Sequence, residues 1–314
     1  MGQRHWITSN RNTGAVPEGT ETSSGRVAFV VAGVVVALLG GFGLGRLTSG
    51  DARPVAAVAA PTATADHTHT PGTGPHAHST GGGSGAAAGG LEISASGYTL
   101  VPEATAFTAG RGGELAFRIV DSGQRPVTDF AIVHDKPLHM IVVRRDLTGY
   151  QHLHPTMAPD GRWTVPLTLP EPGVWRAYTD FTANAPTGQT ATTLGADLTV
   201  RGDYAPRALP EPATRATAGG FTVSYQGTPR TAAVQPLLFT VAPAAKLERY
   251  LGAYGHLVVL REGDLGYVHV HPEAELVDGA VKFWLAAPSP GRYRMYFDFQ
   301  VAGEVHTAEF TMRV

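Results

Sequence analysis

The chain has 314 residues, a net charge of −2 and no cysteine. Its length allows one to three domains with well-filled cores, and its charge gives no sign of a nucleic-acid partner. The missing cysteines exclude disulfides, thiolate zinc sites, iron–sulfur clusters and a lipid-modified cysteine anchor. Any metal site must then use imidazole, carboxylate or thioether groups, with thirteen His available. Lys occurs only at Lys136, Lys246 and Lys282, so Arg dominates the positive charge, a bias common in GC-rich bacterial genomes.

Residues 1–25 read as a cytoplasmic tail and residues 26–46 as a transmembrane anchor. From Val27 to Gly45 no charged residue occurs, and Arg26 and Arg46 bracket the run. As a helix it would span roughly 28 Å, close to the hydrocarbon thickness of a bilayer. Arg4, Arg11 and Arg26 precede it and Arg46 and Arg53 follow, which orients the N-terminus inward. The residues after it are expected on the extracytoplasmic side of a bacterial cell membrane. The long N-terminal tail favours a retained anchor, whereas the Ala-rich stretch from Val55 to Ala60 offers a cleavage site.

Residues 47–90 are rich in Ala, Gly, Pro, Ser and Thr and nearly free of large apolar side chains, the composition of a flexible linker. His67, His69, His76 and His78 lie within it and could collect divalent metal loosely. The other reading is chance within a low-complexity segment. From Leu91 the texture changes to short runs such as ELAFRIV, LHMIVVRR, VWRAYTDF and RYRMYFDF, separated by Gly, Pro and Asp. That pattern predicts antiparallel β-structure, with residues 203–218 as an extended linker holding Pro206, Pro210 and Pro212.

The chain repeats itself. His139 to Pro155 and His256 to Pro272 align without a gap at eight identities in seventeen positions. Both segments follow H-x12-H-x-H-P. The likeness continues through Arg176, Tyr178, Asp180 and Phe181 against Arg294, Tyr296, Asp298 and Phe299. Duplication of a module of about 100 residues predicts an all-β protein of two tandem immunoglobulin- or fibronectin-like sandwiches. Their expected extents are residues 91–202 and 219–314.

The histidines carry the functional expectation. If each segment folds as a hairpin with a two- or four-residue loop, opposed residues have an odd index sum. His139 then shares a face with His152 and His154, and His256 with His269 and His271. A Gly263-Asp264 turn would set His256 opposite His271. Three converging imidazoles suit Cu(II) or Zn(II), which predicts one site in each repeat. The competing reading is packing. His134 and His306 are further candidates without a histidine counterpart in the other copy. Asp180 and Asp298 could each add a carboxylate, or could instead form Arg–Asp pairs within their sheets. Leu257 in place of Met140 argues against a thioether Cu(I) site.

At HLHP and YLGAYGHLVVLREGDLGYVHVHP the chain resembles a group of uncharacterised actinobacterial membrane or secreted proteins, over residues 91 to 314. More distantly, it is similar in architecture to extracytoplasmic copper-handling modules of the YtkA or CopC type, without their Met-rich stretches. The anchor and the histidine clusters together predict a membrane-anchored extracytoplasmic metal-binding protein, with a metal exporter or another envelope protein as partner. The alternative is a structural or interaction module of the cell envelope. No nucleophile elbow, P-loop or HExxH motif occurs, so an enzyme is not expected.

Overall fold

The computed structural model describes residues 87–314. The expected tail, the anchor at 26–46 and His67, His69, His76 and His78 lie outside the described residues. Among the described residues no helix is long and apolar enough to cross a membrane.

The described chain is all-β. The first repeat comprises β1 (Ser94–Ala95), β2 (Tyr98–Pro102), β3 (Ala106–Phe107), β4 (Gly113–Asp121) and β5 (Leu138–Arg144). It continues with β6 (Gln151–Leu153), β7 (Thr156–Met157), β8 (Arg162–Leu167), β9 (Gly173–Ala185) and β10 (Gly188–Val200). One sheet has the order β1-β2-β4-β8-β7 and the other β3-β10-β9-β5-β6. The second repeat comprises β11 (Arg215–Ala218), β12 (Phe221–Gln226), β13 (Gln235–Ala242), β14 (His256–Arg261) and β15 (Tyr267–Val268). It ends with β16 (Val270–Pro272), β17 (Val281–Leu285), β18 (Arg292–Val301) and β19 (Glu304–Arg313). Its sheets run β11-β12-β13-β17-β16 and β15-β14-β18-β19.

Each repeat is thus a two-sheet sandwich with its own core. In the first, Phe117, Ile119 and Trp163 meet Leu138, Met140, Val142 and Trp175. In the second, Phe239 and Phe283 meet Val259, Met295, Phe297 and Phe310. Alternation along β5 sends Leu138, Met140 and Val142 into the core and His139, Ile141 and Val143 the other way. That outward face is not in water. Ile141, Val143 and Tyr178 pack against Val258, Leu260, Tyr267 and Tyr296 in a third apolar cluster shared by the two sandwiches. β5 and β14 are therefore buried on both faces, which explains their nearly unbroken apolar runs.

The shared face is held reciprocally. Tyr178 donates its hydroxyl to the Leu265 carbonyl at 2.6 Å, and the equivalent Tyr296 donates to the Leu147 carbonyl at 2.7 Å. Both carbonyls belong to residues in the left-handed region, with φ of 63° at Leu147 and at Leu265. That turn conformation points each carbonyl at the neighbouring sandwich.

Two segments expected to be linkers take part in the fold. Gly89 exchanges backbone hydrogen bonds with Tyr267 of the second sandwich, and Arg176 holds the Gly90 carbonyl. Gly90 has a φ of +67°, and a Cβ there would come within 2.4 Å of the Tyr178 ring. Between the repeats Leu209 is buried in the shared cluster, Arg292 clasps the Leu209 and Pro210 carbonyls, and β11 extends from Arg215. Proline-rich composition keeps this segment extended, but the backbone acceptors it exposes are taken up by a neighbouring guanidinium.

Replacing Tyr178 or Tyr296 with Phe strands one buried carbonyl and should cost about 1–2 kcal/mol each. Calorimetry is expected to show the double variant unfolding in two separated transitions, because the sandwich cores remain while their common face is loosened.

Candidate metal centre

The hairpin register decides where the first three histidines point. Met140 lies opposite Leu153 and Ile141 opposite His152, an odd index sum that puts His139, His152 and His154 on one face. One ring nitrogen from each of the three lies within 4.8 Å of the others. The closest pair is His139 Nδ1 and His152 Nε2, 3.2 Å apart.

The outer nitrogens of these two rings define the tautomers. His139 Nε2 is 3.0 Å from the Val133 carbonyl, which can only accept, so that nitrogen carries the hydrogen. His152 Nδ1 is 3.0 Å from Asp298 Oδ2, a carboxylate of the other sandwich, and donates to it. With both hydrogens committed outward, the two nitrogens 3.2 Å apart present lone pairs to each other. Such a pair calls for a cation between them, a proton or a metal ion. His154 is the third member, and its Nε2 is buried without a hydrogen-bond partner.

His139, His154 and His256 are biased towards neutral imidazole. Burial, then the neighbouring His152, hold His139 down to about 4. Burial, then His152 and His139, hold His154 down to about 3. His256, only 8% exposed, is held well below the ordinary value by burial and then by His134, His152 and His139. Neutral imidazole is the form that ligates a metal.

Among the described residues the second set forms no group of this closeness, although His256, His269 and His271 all line one cleft with His139 and His152. Val259 lies opposite Val268 and Leu260 opposite Tyr267, the register that would set His256 against His271. The strand leaves the sheet too early for that. It breaks at His269, and β16 pairs with β17 of the opposite sheet, placing His271 beside Trp284. In the first repeat the change of sheet comes only after His154, because β7 begins at Thr156. Among the described residues His139, His152 and His154 form the one three-ligand group.

The remaining candidates disperse around this centre. His256 donates to the Tyr250 carbonyl at 2.9 Å, as His139 does to Val133, and its ring lies 5.9 Å from that of His152. His134 adjoins His256 at 5.1 Å between ring centres. His269 lies 3.1 Å from Thr193 Oγ1 and 3.7 Å from Asp180 Oδ1. These residues line a cleft of about 480 Å3 between the sandwiches, shared by His139 and His152. His306 stands apart, packed between Phe221 and Phe299.

The two aspartates do not pair with the arginines of their strands. Arg176 reaches Asp197 and Arg294 reaches Glu309 instead. Asp180 accepts from Thr193 at 2.9 Å, and Asp298 from Thr307 at 2.6 Å. Asp298 also accepts the Tyr150 hydroxyl at 2.9 Å. The part played by Asp298 across the sandwiches was not read from the sequence. The apolar outer face of LHMIVVR and HLVVLR was the available signal, because a solvent-facing strand would alternate there.

The paired sandwiches, with equivalent histidines, tyrosines and aspartates at equivalent strand positions, describe one domain used twice. Residues 93–198 and 216–314 each match the family model described as a domain of unknown function, DUF8832. The chain belongs to the DUF8832 family. Among curated proteins none matches it. Similar solved structures include a DUF4785 family protein from Legionella pneumophila, at 10% identity and a TM-score of 0.26, covering 69% of this chain and 56% of that one. Another is a putative membrane anchored protein from Corynebacterium diphtheriae, at 8% identity and a TM-score of 0.21, covering 69% and 57%. The DUF8832 chain thus spans little more than half of either structure.

In the metal-free protein the cluster should make folding acid-sensitive. The unfolded histidines titrate near 6.5, above the folded values of about 4 and 3, so the unfolded chain binds more protons between them. Stability is therefore full above about pH 6.5 and falls as the pH drops through the folded values of about 4 and 3, with the deeply buried His139 contributing most. His154→Leu removes a buried, unpartnered nitrogen. It should raise metal-free stability at neutral pH by about 1 kcal/mol, read as a higher unfolding midpoint, and reduce the acid sensitivity. Chemical denaturation as a function of pH reads both.

Proposed function

We propose that this is a membrane-anchored extracytoplasmic protein that binds one transition-metal ion, Cu(II) or Zn(II), through His139, His152 and His154. The observation that carries this reading is the pair of ring nitrogens His139 Nδ1 and His152 Nε2, 3.2 Å apart, with a ring nitrogen of His154 in the same close group. Tetrahedral bonds of about 2.0–2.1 Å place neighbouring donor nitrogens about 3.3 Å apart, so the pair already has the spacing that an ion requires. The Asp298–His152 contact supplies the carboxylate that metal-bound imidazoles commonly donate to.

The location rests on the uncharged run from Val27 to Gly45. With the sandwiches outside the membrane, the role is sequestration, sensing or delivery, with a metal exporter or envelope protein as recipient and His67, His69, His76 and His78 as a loose collector. A binding role is favoured over an enzymatic one because the sequence carries no nucleophile elbow, P-loop or HExxH motif. In the competing reading a shared proton occupies the gap between His139 and His152, and the cluster only packs the envelope module.

The test uses the protein with its four linker histidines replaced by Ala. Titration with Zn(II) or Cu(II) should give one tight ion per chain. Ligand at a hundred times its dissociation constant should stabilise folding by about 2.7 kcal/mol. His139→Ala should abolish that uptake, whereas His306→Ala should leave it unchanged. If neither ion binds or shifts the unfolding midpoint, the packing reading stands.

A further inference from the structure

We propose that the metal site is also the latch between the sandwiches, with Asp298 as a positioning residue. Metal binding and closure of the shared face would then favour each other. This inference rests on the metal reading above and adds a coupling to it. All three donors belong to the first sandwich, on the β5–β6 hairpin and the residue after it, whereas the carboxylate that orients one of them belongs to β18 of the second.

Asp298 is held rigidly at the junction of the two sandwiches. It is 2% exposed, and its Oδ1 accepts from Thr307 at 2.6 Å, which fixes the carboxylate plane. Its Oδ2 receives two donors from the first sandwich, Tyr150 at 2.9 Å and His152 at 3.0 Å. The Tyr150 ring in turn stacks on Tyr296, two residues before Asp298, with centroids 4.1 Å apart. Separating the sandwiches would remove the acceptor from His152 Nδ1 and release its ring orientation and tautomer. The bound ion makes His152 Nδ1–H a stronger donor and tightens its grip on Asp298. By reciprocity, whatever the second sandwich adds to metal affinity, the metal returns to the interface.

The mirror position lacks this arrangement. Asp180 of the first sandwich accepts from Thr193, and His269 of the second lies 3.7 Å away, but His269 belongs to no three-donor group among the described residues. The latch is therefore one-sided, with donors from the first repeat and the orienting carboxylate from the second.

The experiment compares wild type, Asp298→Asn, Tyr150→Phe and a distant control, Asp278→Asn, each with the linker histidines replaced and folding verified by circular dichroism. Cu(II) is the probe, followed by competition affinity, by electron paramagnetic resonance and by amide hydrogen exchange with and without the ion. Asp298→Asn should weaken Cu(II) binding about 10- to 100-fold and alter the spectrum. Tyr150→Phe should weaken it by a smaller factor with the spectrum retained, and Asp278→Asn should match wild type. In wild type the ion should slow exchange in β14 and β18 of the second sandwich, and that protection should vanish in Asp298→Asn. Unaltered affinity and spectrum in both Asp298→Asn and Tyr150→Phe, or protection confined to the first sandwich, would overturn the latch and leave metal binding intact. A wild type that takes up no Cu(II) would overturn both.

Discussion

Two sheets packed face to face across the repeats are the constraint on which the rest of the structure depends. β5 and β14 are apolar on both sides, so neither sandwich can leave its outer face to water without exposing Ile141, Val143, Val258 and Leu260. Burying that surface is favourable by roughly 25 cal/mol per Å2 and obliges the repeats to act as one body. The first histidines of the two strands, and the aspartates of the neighbouring strands β9 and β18, come to the junction with them. His139 lies opposite Asp180 and His256 opposite Asp298, so each meets its partners around the cleft between the sandwiches.

Burial there explains the character of the cluster. A charged imidazole in such a place is costly, and several side by side more so, which is why His139, His154 and His256 are all displaced towards the neutral form. The backbone deals with part of the problem. The Val133 and Tyr250 carbonyls stand at equivalent turns and each accepts from the first histidine of its repeat. The inner nitrogens have no such provision. Among the described residues His154 Nε2 has no hydrogen-bond partner.

Much of this was legible in the residues. The β-character, the duplication and the common face of His139, His152 and His154 follow from strand alternation and turn spacing, which are local properties. The second cluster failed for a reason that is not local. The motif HxHP is the same in both copies, and the register of β14 with β15 is the one the turn implies. What differs is where the chain leaves one sheet for the other, and that is decided by pairing with β17, far along the sequence. The partnership of Asp298 with His152 was equally hidden, since a strand pattern places Arg, Tyr and Asp on one face but does not say what that face meets. The run HLVVLR, with no polar alternation after His256, was the available hint of a covered face.

The early departure of the second strand at His269 has a consequence for how the repeat is read. A duplicated histidine motif can keep every imidazole and still not gather them, because its last ring is carried over to the opposite layer of the sandwich. Counting HxHP motifs therefore overstates the number of close three-histidine groups among the described residues. The position of the crossover, and not the inventory of side chains, separates the repeat whose rings converge from the one whose rings spread along the cleft.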